Sequence, residues 1–303
     1  MDITIDGFFE AIFLGLSSGA IYALVALALV VVFRGTGHLN FAQGEMATLS
    51  AYICWVFYDA GVPLPLATLI AMVFGFLLGA AVEVTIIRPL AKKSLLTVFV
   101  ATIALFLGIN ALDTGLWGAP PDEVIDSLFP NAAEDFVRLF GTIWRWNNIG
   151  TLIVALVVAA LLFLLFQKTR FGLAMRGVAS NADSSRLVGI PTGRVLAGSW
   201  AIAGALGALA GVLVAGNQGQ VTPTLMFSIF TYATAAAVLG GLDSPGGAVI
   251  AGLLIGIGEN LAAEFFPEWI GQDMKVAVPL VAILVVLMFK PSGLFGTSKV
   301  ERV

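Results

Sequence analysis

The sequence predicts an all-α, polytopic integral membrane protein: a bundle of eight to nine transmembrane helices with the N-terminus outside and the C-terminus in the cytoplasm. Three observations predict it. The 303 residues are 59% hydrophobic and only 11% charged, and the mean hydropathy is +1.00, which leaves too little polar surface for a soluble globule of this size. Apolar runs long enough for membrane helices recur along the chain. The basic residues gather on alternate sides of those runs. One span takes about 20 apolar residues, so the length admits roughly eight to ten spans and no large soluble domain.

The runs lie at 8–33, 41–58, 63–87, 95–117, 149–166, 195–216, 228–242, 247–266 and 276–289. The second contains Glu45 and the seventh is short, so each reads either as a crossing or as a broken, re-entrant helix. The first ten residues hold Asp2, Asp6 and Glu10 and no basic residue, the wrong charge for a cleaved secretory signal, so the first run reads as a retained span.

Orientation follows from Lys and Arg, which stay cytoplasmic near span ends. With the N-terminus outside, the inner side receives Arg34, Arg88, Lys92, Lys93, Lys168, Arg170, Arg176, Arg186, Arg194, Lys290, Lys299 and Arg302. The outer side receives only Arg138, Arg145 and Lys275. The opposite orientation reverses that ratio.

The whole of residues 1–303 reads as a single transmembrane domain with two long connections. The outer one, 118–148, is acidic and ends on Trp144 and Trp146, where indoles commonly meet lipid headgroups; it reads as a short extracytoplasmic amphipathic segment. The inner one, 167–194, is the most polar stretch; Ala174 to Leu187 can form a helix that Gly189 and Pro191 stop. Glycines four apart at 15 and 19, 75 and 79, 207 and 211, and 252 and 256 give one face per helix on which two backbones can approach closely.

Several functions are excluded. No phosphate loop is present and no Gly-Lys pair from which to build one. His38 is the only histidine, so no His-based metal constellation exists and no metal or cofactor is expected. A net charge of -4 offers no basic stripe for nucleic acid. Cys54 stands alone, so the chain has no internal disulfide. The expectation is therefore a transport protein rather than an enzyme.

Three segments remain where polar residues interrupt the apolar pattern. In GHLNFAQGE, residues 37–45, Asn40 and Gln43 resemble a capping box and Glu45 falls in the first helical turn. The alternative is a helix that starts inside the membrane and turns its free N–H groups to a substrate or gate, which makes Asn40, Gln43 and Glu45 candidates for a translocation path. Glu259 lies within the eighth run and must face the bundle interior, either lining the path or held by hydrogen bonds from another helix. Glu83 sits where it can pair with Arg88, and Asp113 falls near the outer boundary. Between runs seven and eight, GGLDSPGG forms a tight hairpin turn of Gly240, Gly241, Asp243, Pro245, Gly246 and Gly247, either a connector or a contributor to a gate.

Taken together, six stretches in order resemble the permease subunits of the branched-chain (hydrophobic) amino-acid ABC importer family, of the shorter-permease type. They are GLSSGAIYALVALAL from Gly15, HLNFAQGEMA from His38, IIRPL from Ile86, TRFGLAMRGVASNADSSRLVGIPTGRV from Thr169, AAAVLGGLDSPGGAVIAGLLIGIGE from Ala235 and MFKPSGLFG from Met288. The resemblance implies a multi-pass subunit of the bacterial cytoplasmic (inner) membrane. It also implies a second homologous permease, two cytoplasmic ATPase subunits and an extracytoplasmic solute-binding protein as partners, besides membrane lipid and without nucleic acid.

On that resemblance the inner loop is an ATPase-coupling segment carrying Arg170, Arg176, Asn181, Asp183, Arg186 and Gly189. The family motif commonly reads NFAHGE; Gln43 stands at the histidine position, so a proton-linked role for that histidine does not apply. Two alternatives stay open at this level: a related ABC permease for urea or short amides, and a secondary transporter or channel without ATPases that uses Glu45 and Glu259 for ion coupling.

Overall fold

The computed structural model describes residues 5–91, 93–118, 123–139, 142–265 and 277–296. Lys92, Lys275, Lys299 and Arg302, and parts of the 118–148 segment, lie outside them. The described chain is almost wholly helical. Each apolar run of the sequence folds as a helix, in chain order α1 (Ile5–Thr36), α2 (Gln43–Asp59), α3 (Leu64–Val82), α5 (Leu95–Trp117), α6 (Trp146–Lys168), α9 (Thr192–Gln218), α10 (Phe227–Gly240), α11 (Pro245–Phe265) and α12 (Ala277–Phe289). After α3 the chain continues through a five-residue π turn, Glu83–Ile87, into the short α4 (Arg88–Leu90). Two small helices, α7 (Arg170–Ser180) and α8 (Ala182–Leu187), fill the inner loop.

Among the described residues, six helical stretches are long and apolar enough to cross a membrane: Gly7–Thr36, Leu64–Leu90, Leu95–Trp117, Trp146–Lys168, Thr192–Gln218 and Pro245–Phe265. Helix α2 has 17 residues, at the lower end of the crossing range, and α10 has 14, below it.

The contacts divide the described chain into two compact units. One takes its residues from Met1–Ala26, Phe129–Ala159 and Thr231–Val303. Its organising contact is α1 against α11. A Cβ at Gly15 would overlap the backbone at Gly256 and Ile257, and one at Gly19 the backbone at Gly252 and Leu253. The two glycine pairs thus face each other and hold the helices at backbone contact, the arrangement expected where apolar burial gives no preference for helix over lipid. The same unit contains a two-stranded antiparallel hairpin, β1 (Phe136–Leu139) and β2 (Thr142–Arg145), registered Phe136 to Arg145 and Leu139 to Thr142. The outer segment, expected to be amphipathic, contains this ribbon: Phe136, Val137, Thr142, Ile143 and Trp144 are β-branched or aromatic and favour extended backbone.

The second unit, from Leu27–Leu128 and Ala160–Phe230, is built on α2, α3, α5 and α9. Helices α3 and α9 meet through Gly75 and Gly79 on one side and Trp200, Ala201 and Gly204 on the other. On the opposite flank of α9, Gly207 and Gly211 admit Gln43 and Ala47 of α2. All four predicted glycine pairs are therefore spent on helix-to-helix contact. Helix α1 ends at Gly37, whose φ of +74° is the left-handed cap that a side chain resists.

Candidate functional site

At the start of α2, Asn40, Gln43 and Glu45 are all buried. The residue immediately before the helix is Ala42, and no side chain caps it. The capping-box expectation is corrected: Asn40 Oδ1 accepts from the Ala42 N–H at 3.1 Å, and Asn40 Nδ2 donates to Gln43 Oε1 at 3.1 Å. Gln43 then sends its Nε2 to the Ala203 carbonyl in the middle of α9, 2.8 Å away. The physical reason is the close approach of Gly207, which lets the Gln43 amide reach a second helix instead of folding back on its own. Glu45 stands in the first turn as expected and accepts from Asn110 Nδ2 of α5 at 3.3 Å. These three residues join α2 to α9 and α5.

In the other unit, Glu259 of α11 faces the interior and accepts a hydrogen bond of 2.5 Å from the Tyr22 hydroxyl of α1. The Tyr232 ring lies 5.0 Å from that of Tyr22. Asn260 turns back to the Gly256 carbonyl of its own helix at 2.9 Å. A buried acid on a membrane helix thus has a named donor on the first helix of the chain.

The inner loop is two helices rather than one. Asn181, at φ -159° and ψ 106°, ends α7 and caps α8 by accepting from the Ser184 N–H at 2.8 Å, and an asparagine that caps one helix cannot continue another. Thr169 caps α7 in the same way through Gly172. Gly172, Met175 and Val178 share the buried face of α7. Arg170 is exposed. Arg176 donates to the Phe166 carbonyl, and Arg186 binds Thr192 Oγ1 at 2.9 Å and Asp183 Oδ1 at 3.3 Å. Gly189, at φ +83°, makes the turn that follows α8. Leu187 and Val188, next to it, are 89% and 75% exposed, an apolar tip on an otherwise polar arm.

The 240–247 turn joins α10 to α11 with Pro245 at the first helical position and Ser244 Oγ accepting from the Gly247 N–H at 3.1 Å. Gly241 has φ +102° and its missing Cβ is where the Gly296 backbone passes. The segment after α12 straps the turn: the Leu294 N–H donates to the Leu239 carbonyl at 2.8 Å and the Phe295 N–H to that of Gly240 at 3.1 Å. Gly240 and Gly247 are in backbone contact, Gly246 meets nothing, and Asp243 lies beside Gly296.

Sequence reasoning read Asp113 as a residue near the outer boundary and passed over Asn110 and Tyr52. Asp113 of α5 is fully buried, and neither carboxylate oxygen has a hydrogen-bond partner among the described residues. The Tyr52 hydroxyl is likewise buried and unpartnered, with its ring stacked on Trp117 at 4.5 Å and 6°. The available signal was spacing: Asn110, Asp113 and Trp117 lie on one face of α5, as Glu45 and Tyr52 do on α2. No three His, Cys, Asp or Glu side chains come together as a metal ligand set among the described residues.

Comparison with known proteins places these features in a family context. The family model described as branched-chain amino acid transport system / permease component matches residues 11–287. The chain is 29% identical over 300 residues to the high-affinity branched-chain amino acid transport system permease protein BraD of Pseudomonas aeruginosa, covering 95% of this chain and 96% of that one. It is 28% identical to the corresponding permease LivH of Escherichia coli K12, covering 98% of each. The probable branched-chain amino acid permease LivH of Methanocaldococcus jannaschii is 29% identical over 91% of this chain and 88% of its own.

Proposed function

We propose, from the premise that this chain belongs to the branched-chain amino acid transport system permease family, that it is a membrane-embedded subunit of an ATP-driven importer for branched-chain or other hydrophobic amino acids. The observation that carries the reading is a family match running from the first helix into the last, 11–287, with relatives of the same length named for that cargo. The chain acts as one permease domain in the bacterial cytoplasmic membrane. Its N-terminus lies outside, its C-terminus inside, and eight or nine of its helices enter the bilayer. Its partners are a second homologous permease, two cytoplasmic ATPases and an extracytoplasmic binding protein.

In this mechanism the solute passes along the interface of the two permeases, and nucleotide binding and hydrolysis in the partners switch access from one side to the other. The chain has no phosphate loop of its own, so the work enters through residues 167–194. The exposed Leu187 and Val188, adjacent on a turn built by Arg186, Asp183 and Gly189, form a small apolar patch rimmed by polar residues, which supports a protein partner for that arm. Asn40, Gln43, Glu45 and Glu259 hold helices in register near the path, and the strapped turn 240–247 limits its movement.

The test is uptake of radiolabelled leucine by vesicles containing the chain with its second permease, ATPases and binding protein. Uptake that requires ATP hydrolysis supports the reading. Uptake driven by an ion gradient with the ATPases absent overturns it.

A further inference from the structure

We propose that the cavity at the start of α6 binds one phospholipid whose headgroup ends in a primary ammonium, the Asp135 carboxylate taking the ammonium and the first turns of α6 the upper part of an acyl chain. The cavity measures about 360 Å³ and lies wholly within one unit of the fold. Trp146, Ile149, Gly150 and Ile153 line it from α6. Their spacing puts them on one helix face, a strip about 10 Å long. Phe129 and Asp135 of the preceding segment close the other side.

Two contacts build this cavity. Gly150 is buried, and a Cβ there would run into the Phe129 ring, so the ring lies directly on the α6 backbone. The Trp146 N–H donates to the Asp135 carbonyl at 3.1 Å, which extends the β1–β2 pairing by one step and sets Asp135 beside the first residue of α6. The Asp135 carboxylate accepts from the Ala132 N–H at 2.9 Å through Oδ2. That bond brings it no counter-charge: the ion pairs among the described residues are Arg88 with Glu83 and Arg186 with Asp183. The arginines of the hairpin belong to its other face, Arg145 opposite Phe136 and the Arg138 guanidinium 5.8 Å from the centre of the Phe136 ring.

Trp146 and Ile153 are 46% and 54% exposed, so the cavity opens along the side of a helix long and apolar enough to cross the bilayer. A tryptophan at the end of such a helix marks the headgroup level, and Ile153, about two turns further in, falls among acyl carbons. A carboxylate without a basic partner at that level repels anionic lipid and attracts an ammonium. A primary ammonium also donates hydrogen bonds to it, which a quaternary one cannot. Helix α6 begins at Trp146, so the positive end of its dipole lies near the lipid phosphate. The site rests on α6 crossing the bilayer and not on the cargo assigned above.

The full chain, with the subunits that accompany it, is placed in phosphatidylcholine nanodiscs containing phosphatidylethanolamine that carries a diazirine near the carbonyl end of one acyl chain. After illumination, labelled residues are located by mass spectrometry, with unlabelled phosphatidylethanolamine or phosphatidylglycerol of the same chains as competitor. Saturable labelling of 146–153 is expected, suppressed by phosphatidylethanolamine and not by phosphatidylglycerol. Asp135→Asn keeps an acceptor for the Ala132 N–H and is expected to weaken the affinity by about tenfold, the lower end of the range for a hydrogen bond to a charged group. Ile153→Trp, at an exposed position, fills the slot and is expected to abolish the labelling. Equal competition by the two lipids overturns the proposal, as does parental labelling in both variants, or displacement by soluble phosphoethanolamine as effective as by lipid. Labelling of 146–153 no stronger than that of the exposed face of α5 also overturns it, and is the outcome if a protein subunit covers the cavity.

Discussion

The Tyr22 hydroxyl lies 2.5 Å from Glu259 Oε2, a bond between two residues 237 positions apart that joins the first helix to the eleventh. It accounts for an acid that an apolar helix would otherwise exclude. Glu259→Gln keeps an acceptor for Tyr22 and is expected to change stability little. Tyr22→Phe removes the donor and leaves the carboxylate buried, and is expected to cost about 1–2 kcal/mol, the upper range for hydrogen bonds between membrane helices. Reversible denaturant unfolding in detergent, comparing the two variants, checks the order; equal losses would count against the pairing.

The glycine contacts make a sharper distinction. A Cβ at Gly79 would overlap the Trp200 carbonyl, whereas one at Gly108 of α5 meets nothing within 4 Å. Gly79→Ala is expected to destabilise by about 1–3 kcal/mol through overpacking. Gly108→Ala is expected to be neutral or to gain up to about 1 kcal/mol from helix propensity. Thermal midpoints of the purified variants measure both.

Gln43 bridges two helices through its amide, and no capping bond competes for it. Gln43→Ala removes the bond to the Ala203 carbonyl and the acceptor for the Asn40 amide, and a loss of about 1–2 kcal/mol is expected. Gln43→Glu sets a carboxylate against that carbonyl and is expected to lose more. Unfolding curves give the ranking, and leucine uptake shows whether the helix junction also matters to transport.

In the inner arm the charged groups and the apolar tip have different work. Arg176 ties the arm to the Phe166 carbonyl of α6 and Arg186 bonds within the arm, so Arg176→Glu with Arg186→Glu is expected to deform it and to separate ATP hydrolysis from uptake. Leu187→Asp with Val188→Asp leaves those bonds intact and is expected to weaken retention of the ATPases on purification. Copurification and coupled ATPase assays distinguish the two effects; full uptake in both double variants would remove the arm from the coupling role.

Much of this was legible in the residues. The run predicted at 195–216 folds as Thr192–Gln218, and that at 95–117 as Leu95–Trp117, because long apolar stretches in a membrane have no alternative to intrahelical hydrogen bonding. The four glycine pairs and the Glu83–Arg88 pair also follow from spacing along single helices. What escaped was tertiary. Asp113 reads as a boundary residue until α5 is laid parallel to α2. The hairpin at 136–145 needed cross-strand pairing that no local pattern specifies. The break at Asn181 was visible in principle, since Asn followed three residues later by Ser suits a cap, but the surrounding helix-formers outweighed it.

Arg88 binds Glu83 on its own helix at 3.2 Å through Nε and the Gly193 carbonyl of α9 at 2.8 Å through a terminal nitrogen. That second bond anchors α9 one residue after the helix begins, just downstream of the arm. Because α3 and α9 then run together with their backbones meshed at Gly75, Gly79 and Gly204, neither can slide without the other. A displacement of Gly193 therefore carries α3 and α9 together, and the glycine seam keeps the two in step.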